Sequence, residues 1–195
     1  GVKKVLSQEM DFRVEAEARN SSELFEKLKI HKIDILVLDI TMPGRSGLDI
    51  LKDIKKIYPL LPVLMLSMHP EERFAFRSLK AGASGYLTKE SAADELVNAV
   101  RKILGGGKYI SESLSVKMLE DIGKETTSNP HEALSNREYE VMILIASGKT
   151  VSQIADDLSL SVTTVSTYRS RILEKMRMGN NAEITYYAVS RGLID

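Results

Sequence analysis

The stretch Ile35-Leu36-Val37-Leu38-Asp39-Ile40-Thr41-Met42-Pro43-Gly44 decides how this chain folds. Four consecutive branched aliphatics, Ile35 to Leu38, are closed by a carboxylate, and a Met-Pro-Gly turn follows at once. A run without polar alternation is the mark of a strand buried on both faces, as in a parallel sheet flanked by helices. In open sheets of that kind, ligands and chemistry lie just outside the carboxyl ends of the strands. Asp39 occupies such an end. Taken alone it reads either as an acid placed to react or as a turn residue that stops the strand.

The residues on either side extend the pattern. Phe12, Val14, Ala16 and Ala18 alternate with charged residues, which predicts a half-buried strand. Leu24, Phe25 and Leu28 carry a helical period, as do Leu48, Leu51, Ile54 and Ile57. Ile35–Ile40 reads as the central strand, and Val63–Leu66, entered through Pro62, as a second continuous one. Phe74, Ala75, Leu79 and Ala81 predict a helix ending at Gly82. Ser84–Thr88 is a short strand, and Leu96 to Leu104 a last helix. Strands alternating with helices imply a doubly wound α/β domain with right-handed crossovers.

Gly105-Gly106-Gly107 reads as the domain boundary, which places the first domain at 1–107. Residues 108–133 read as a linker, with an amphipathic helix near 111–122 and a polar run from Gly123 to Pro130. From Leu134 to Asp195 the period is helical throughout, so the second domain is all-α. Ser135 and Glu138 form a capping box, Gly148 ends that helix, Ser152–Leu158 is the next, Ser161 caps a third, and Asn180 with Glu183 opens a fourth.

Bulk properties exclude several classes. Lys plus Arg and Asp plus Glu are both 27, so overall charge selects no partner. The chain has 0 cysteines, which rules out disulfides, thiol catalysis and thiolate metal sites and is compatible with a reducing cytoplasm. No apolar run approaches the ~20 residues needed to cross a bilayer, and no secretory signal is present. These features predict a cytoplasmic protein without a membrane partner.

Asp39, Ser67 and Lys89 close three consecutive predicted strands. Acyl-phosphate chemistry on an aspartate needs such helpers: a cation against the phosphate oxygens, a lysine to pair with one of them, and a hydroxyl to donate to another. Each residue alone reads as an ordinary turn, cap or solvated side chain; together they are much rarer. Residues 1–107 resemble most of a receiver domain, through LVLDITMPGRSG (36–47), VLMLS (63–67) and AGASGYLTK (81–89). The resemblance implies a flavodoxin-like fold with Asp39 as phosphoacceptor, Ser67 as switch hydroxyl and Lys89 as the phosphate-pairing lysine. It implies that the Tyr86 rotamer follows the switch and that Asp39 and the Thr41 carbonyl ligate Mg2+. Without it, Tyr86 reads as a half-buried sheet aromatic.

Two features depart from that pattern. No strand precedes Phe12, and Gly1–Leu6 resembles the later half of a first helix, so the first strand and its cation-binding acidic pair are expected to be missing here. Glu9 and Asp11 are acidic but fall in the loop after that helix. The 195 residues are therefore expected to phosphorylate poorly, and the complete gene product well. The second departure is Glu90, which follows Lys89 where many receivers carry proline, so a trans bond is expected.

Ser152–Leu158, a short turn and a helix from Ser161 predict a helix-turn-helix. Val165, Ile172 and Met176 share one face, the core, with Tyr168 beside it. Thr163, Thr167, Ser170, Arg171 and Glu174 lie opposite. Small hydroxyl residues are poor helix formers but approach base edges and phosphates closely. Within 163–177, Arg169, Arg171, Lys175 and Arg177 stand against Glu174 alone, a local +3. The segment from Leu134 to Met176 resembles a LuxR-type DNA-binding domain. That likeness puts Ser166, Thr167 and Ser170 on bases, and Thr163, Thr164, Arg171 and Lys175 on phosphates. Lys149 and Thr150 fall on the backbone, and Ala182–Arg191 at a two-fold dimer contact.

A receiver followed by such a domain is the architecture of the NarL/FixJ response regulators. It implies a transcription regulator rather than an enzyme, a partner histidine kinase, and a homodimer on double-stranded DNA with paired half-sites. Two rivals are weaker. A haloacid-dehalogenase-like phosphatase needs a second acid two residues after the first, where this chain has Thr41. A phosphorylation-independent regulator with a degenerate receiver fits the expected loss of the acidic pair, but not the presence of Asp39, Ser67 and Lys89.

Overall fold

The computed structural model describes residues 2–68, 71–111, 115–116 and 129–194. It divides into two compact units, residues 1–124 and 125–195.

The first unit is built on a parallel sheet of β1 (Leu36–Asp39), β2 (Val63–Ser67) and β3 (Gly85–Thr88), in that spatial order. Its helices are α1 (Val2–Leu6), α2 (Ser21–Ile30), α3 (Gly47–Ile57), α4 (Glu71–Lys80) and α5 (Ala92–Leu104). Asp39 pairs in register with Leu66, and Ser67 with Thr88, so the carboxyl ends of all three strands are level. Every residue of β2 is buried, as the continuous apolar run required. α5 packs Leu96, Ala99, Val100 and Ile103 on Leu64, Leu66 and Leu87. Ser46 caps α3, whose Leu48, Ile50, Leu51 and Ile54 are buried.

Three expectations need correction. Among the described residues β2, not Leu36–Asp39, is the central strand. Phe12–Ala18 alternates between half-buried and exposed as its pattern predicted, but it is not a β-strand. Alternation sets which side chains face inward, whereas a strand also needs a backbone ladder to bond with. Between this segment and β1 runs a groove of about 650 Å3, with Val14, Ala16, Val37 and Leu38 among its walls.

The third correction concerns the triple glycine, which turns the chain but does not end the sheet. Gly106, at φ +86°, redirects it after α5. Tyr109 then pairs in parallel with Gly85: Tyr109 N donates to Ser84 O (3.0 Å) and Tyr86 N to Tyr109 O (3.1 Å). A Cβ on Gly85 would lie 2.8 Å from the Tyr109 carbonyl oxygen, so the approach requires glycine. Residues just beyond 107 thus belong to the sheet of the first unit. The helix expected near 111–122 lies outside the described residues except at Ser111, which is not helical, and at Ser115 and Val116, which are.

The second unit holds a 3-10 turn (Pro130–Ala133) and helices α6 (Asn136–Ala146), α7 (Val151–Leu158), α8 (Val162–Met176) and α9 (Asn181–Ser190). Every residue of α6 is buried, so it is the hub on which α7, α8 and α9 pack. The caps lie where the sequence placed them: Ser135 with Glu138, Ser161 on Thr164 N, and Asn180 on Glu183 N. α7 and α8 are joined through Ser159, which adopts the left-handed conformation (φ 52°) and closes the tight turn.

Candidate functional site

The level sheet ends bring three predicted residues together. Asp39 Oδ1 accepts a hydrogen bond from the Thr41 amide (3.0 Å), and its Oδ2 is ion-paired with Lys89 Nζ. The Lys89 amide donates to the Ser67 carbonyl (2.7 Å), which ties the lysine loop to β2. Asp39 and Lys89 both keep solvent access, with side chains 27% and 37% exposed. Ser67 (0%) and Tyr86 (1%) are fully buried, so Tyr86 is a core side chain and not a half-buried one.

Gly47 is a determinant that the residue chemistry did not point to. Its amide donates to the Ile40 carbonyl (2.7 Å), which folds the 40–47 loop back on the end of β1. A Cβ there would lie 2.1 Å from the Asp39 carbonyl oxygen. The available signal was the Ser46-Gly47 pair at the helix start, which reads as a cap and conceals the close approach.

Glu9 and Asp11 are engaged elsewhere. Arg101 Nη2 reaches Glu9 Oε2 (2.7 Å) and Asp11 Oδ1 (3.0 Å), and its Nε reaches Asp11 Oδ2 (3.1 Å). Its guanidinium lies 5.3 Å above the Phe12 ring and holds the Asp11 carboxyl below its ordinary value. Among the described residues no group of three or more Asp, Glu, His or Cys side chains could hold a metal. The Asp39 carboxylate, hydrogen-bonded to the Thr41 amide and paired with Lys89, is the acid at the sheet end. One carboxylate is within the range that Mg2+ takes, together with phosphate oxygens and waters.

In the second unit, Thr163, Ser166, Thr167, Ser170 and Arg171 all lie on the exposed face of α8, opposite buried Val165, Ile172 and Met176. Two hydroxyls bond back to their own helix: Thr167 Oγ1 donates to Thr163 O (3.0 Å) and Ser170 Oγ to Ser166 O (3.1 Å). Thr164 is half-buried, and its hydroxyl joins the Ser161 cap at 2.7 Å.

The basic residues are more engaged than their positions implied. Lys175 Nζ bonds Glu138 Oε2 (2.6 Å), because the 3%-exposed carboxylate of the α6 cap needs a counter-charge. Burial raises the Glu138 pKa, but Lys175 and Ser135 hold the charged form more strongly, and the net shift is downward. Lys149 pairs with Asp157, and Arg169 Nε donates to Asn181 Oδ1 (2.6 Å). Thr150 forms a capping box with Gln153 at the start of α7. Arg171 on α8 and Arg177, the residue that caps its carboxyl end, are exposed. Inside, Arg137 pairs with Glu140 (2.6 Å) and its Nη2 donates to Leu158 O (3.2 Å), which links α6 to α7.

Residues 1–101 match the family described as the response regulator receiver domain, and residues 132–188 match the bacterial regulatory proteins of the luxR family. The chain belongs to the NarL/FixJ family of two-component response regulators. This regulator is 31% identical over 194 residues to the response regulator UvrY of Escherichia coli K12, which covers 99% of this chain and 89% of that protein. It is 32% identical over 195 residues to the response regulator GacA of Pseudomonas protegens, covering 100% and 92%. Among solved structures it is similar to RcsB of Salmonella enterica serovar Typhimurium bound to promoter rprA in the presence of BeF3-. That match has a TM-score of 0.63 and 26% identity, and covers 96% of this chain and 90% of the other. The RcsB–DNA complex matches with a TM-score of 0.57 and 28% identity, over 97% and 91%. The regulator is therefore a DNA-binding transcriptional response regulator.

Proposed function

We propose that Asp39 is the phosphoacceptor that switches this regulator. The observation that carries this reading is the convergence of Asp39, Ser67 and Lys89 on adjacent strand ends, with the Lys89 ammonium on the Asp39 carboxylate. An Asp39 oxygen attacks the phosphorus of a phosphohistidine on the partner kinase, or of a small acyl phosphate. The bond to the donor's leaving nitrogen or oxygen breaks, and an acyl phosphate forms. Asp39 and the Thr41 carbonyl would hold Mg2+, which would supply positive charge against the phosphate oxygens. Lys89 then pairs with a phosphate oxygen and Ser67 donates to another, while Tyr86 follows the serine loop.

The output is DNA binding by α8, with Ser166, Thr167 and Ser170 at base edges. Thr163, Thr164, Arg171, Lys175, Lys149 and Thr150 are at the phosphate backbone. Two copies pair through α9, where Tyr186 (78%) and Val189 (51%) are exposed apolar side chains, and so engage paired half-sites. No helix among the described residues is long and apolar enough to cross a membrane. The regulator acts in the cytoplasm, where its DNA is, and turns over no substrate of its own.

One observation favours a second reading, regulation without phosphorylation: Glu9 and Asp11 are bound to Arg101 and not turned to Asp39. Intact mass before and after acetyl phosphate with Mg2+ separates the two. Gain of one phosphoryl group by the protein, absent in Asp39→Ala, supports the switch. No gain by the complete gene product supports the second reading.

A further inference from the structure

The loop that carries Lys89 is closed by two side chains with no role in the scheme above. Ser91 N donates to Thr88 Oγ1 (3.1 Å), Thr88 Oγ1 donates to Ser91 Oγ (3.1 Å), and Ser91 Oγ donates to the Thr88 carbonyl (3.3 Å). These contacts tie the residue before Lys89 to the second residue after it. The Lys89 amide is itself held on Ser67 O (2.7 Å), so the loop is fixed at both ends and from β2.

Ser91 is also the N-cap residue of α5, yet it makes no side-chain cap bond to that helix. Serine is among the preferred N-caps because its hydroxyl satisfies an orphan amide. The backbone explains the diversion: Ser91 has φ −75° and ψ −19°, a helical conformation and not the extended one of a capping residue. Ser46, Ser135 and Ser161, with extended backbones, all cap their helices. The Ser91 hydroxyl is turned to Thr88 instead of the helix. Both residues are half-buried, which shelters these bonds from water.

We infer that Thr88 and Ser91 are positioning residues that hold Lys89 in reach of the Asp39 carboxylate, an inference that rests on the assignment of Asp39 and Lys89. Lys89 has a long stem with several rotatable bonds, so its ammonium samples many places unless its backbone is fixed. The hydroxyl clasp fixes that backbone in a loop whose next residue is Glu90 and not a ring-constrained proline. Neither hydroxyl touches Asp39; both act through Lys89.

The test measures Lys89 directly and needs no phosphorylation. The full chain is treated briefly with an acylating reagent for amines, and modification at Lys89 is followed by peptide mass spectrometry. An ammonium paired with Asp39 reacts slowly. Thr88→Val, which keeps shape and removes the hydroxyl, is expected to speed Lys89 modification roughly two- to tenfold, the factor for one lost hydrogen bond. Ser91→Ala should do the same, and Thr88→Ser should restore the slow rate. In an Asp39→Asn background, where the pair is already broken, Thr88→Val should add nothing. Slow modification in Thr88→Val and Ser91→Ala overturns the inference, as does equal acceleration of the other lysines, which would report a loosened domain. If Asp39→Asn alone leaves Lys89 slow, the Asp39–Lys89 pairing fails. The acetyl-phosphate measurement above judges the phosphoacceptor assignment on its own.

Discussion

Replacing Gly47 by alanine tests whether Asp39, the proposed phosphoacceptor, is positioned by a close backbone approach. The new Cβ would stand 2.1 Å from the Asp39 carbonyl oxygen, 2.7 Å from Ile40 Cα and 3.0 Å from the Asp39 carbonyl carbon. Carbon and oxygen in such contacts normally keep about 3.3–3.6 Å apart, so the backbone must part by more than about 1 Å. The obstacles are main-chain atoms, and no side-chain rotamer can relieve them. Parting also breaks the Gly47 N–Ile40 O bond, 2.7 Å long. Overpacking costs about 1–3 kcal/mol and the bond about 1 kcal/mol more, which sums to about 3 kcal/mol near the middle of that range. In a unit of this size that lowers the midpoint of its thermal transition by roughly 10 °C or more. Calorimetry on the full chain reads it, since the second unit has a core of its own and serves as an internal control. Acetyl-phosphate labelling should fall in parallel because Asp39 moves with the loop. A midpoint within about 2 °C of the parent, with normal labelling, would show that the loop has room for a side chain and would refute the positioning role.

Three further outcomes follow from the second unit. Glu138→Gln should destabilise it by about 1–3 kcal/mol at neutral pH, since the 3%-exposed carboxylate is bonded to Lys175 and Ser135. In the parent, the folded pKa of Glu138 lies below its ordinary 4.5, so its contribution is complete above that value and is lost as pH falls through the lowered one. Melts across that acidic range should show the decline in the parent and a flatter profile in the variant. Arg171→Ala should weaken binding to all DNA sequences alike and reduce the salt dependence by about one ion, measured by anisotropy at several salt concentrations. Thr167→Ala should instead cost about 1–3 kcal/mol at the cognate site and little on random duplex.

The alternation of strands with helices and the placing of Asp39, Ser67 and Lys89 at strand ends were legible in the residues, because both are local. A continuous apolar run ended by an acid requires a parallel strand with a carboxylate at its tip. Two further short apolar runs, ended by Ser67 and Lys89, placed those residues at neighbouring strand ends before any coordinate was known. The caps at Ser135 and Asn180 and the apolar stripe of α8 are likewise set within one helical turn of their own residues. The features that the residues left open depend on positions far apart in the chain. Phe12–Ala18 has the alternation of a strand but no ladder, because backbone pairing is a property of neighbours. The triple glycine has the composition of a boundary, yet Tyr109 returns to pair with Gly85. Lys175 and Lys149 read as DNA-backbone contacts, and packing also brings Glu138 and Asp157 beside them. Gly47 and Ser91 show the same limit most sharply. A glycine needed for a 2.1 Å approach and a serine turned away from its helix look in sequence like ordinary turn and cap residues. Residue type records what a side chain can bond; the fold decides which of those bonds is within reach.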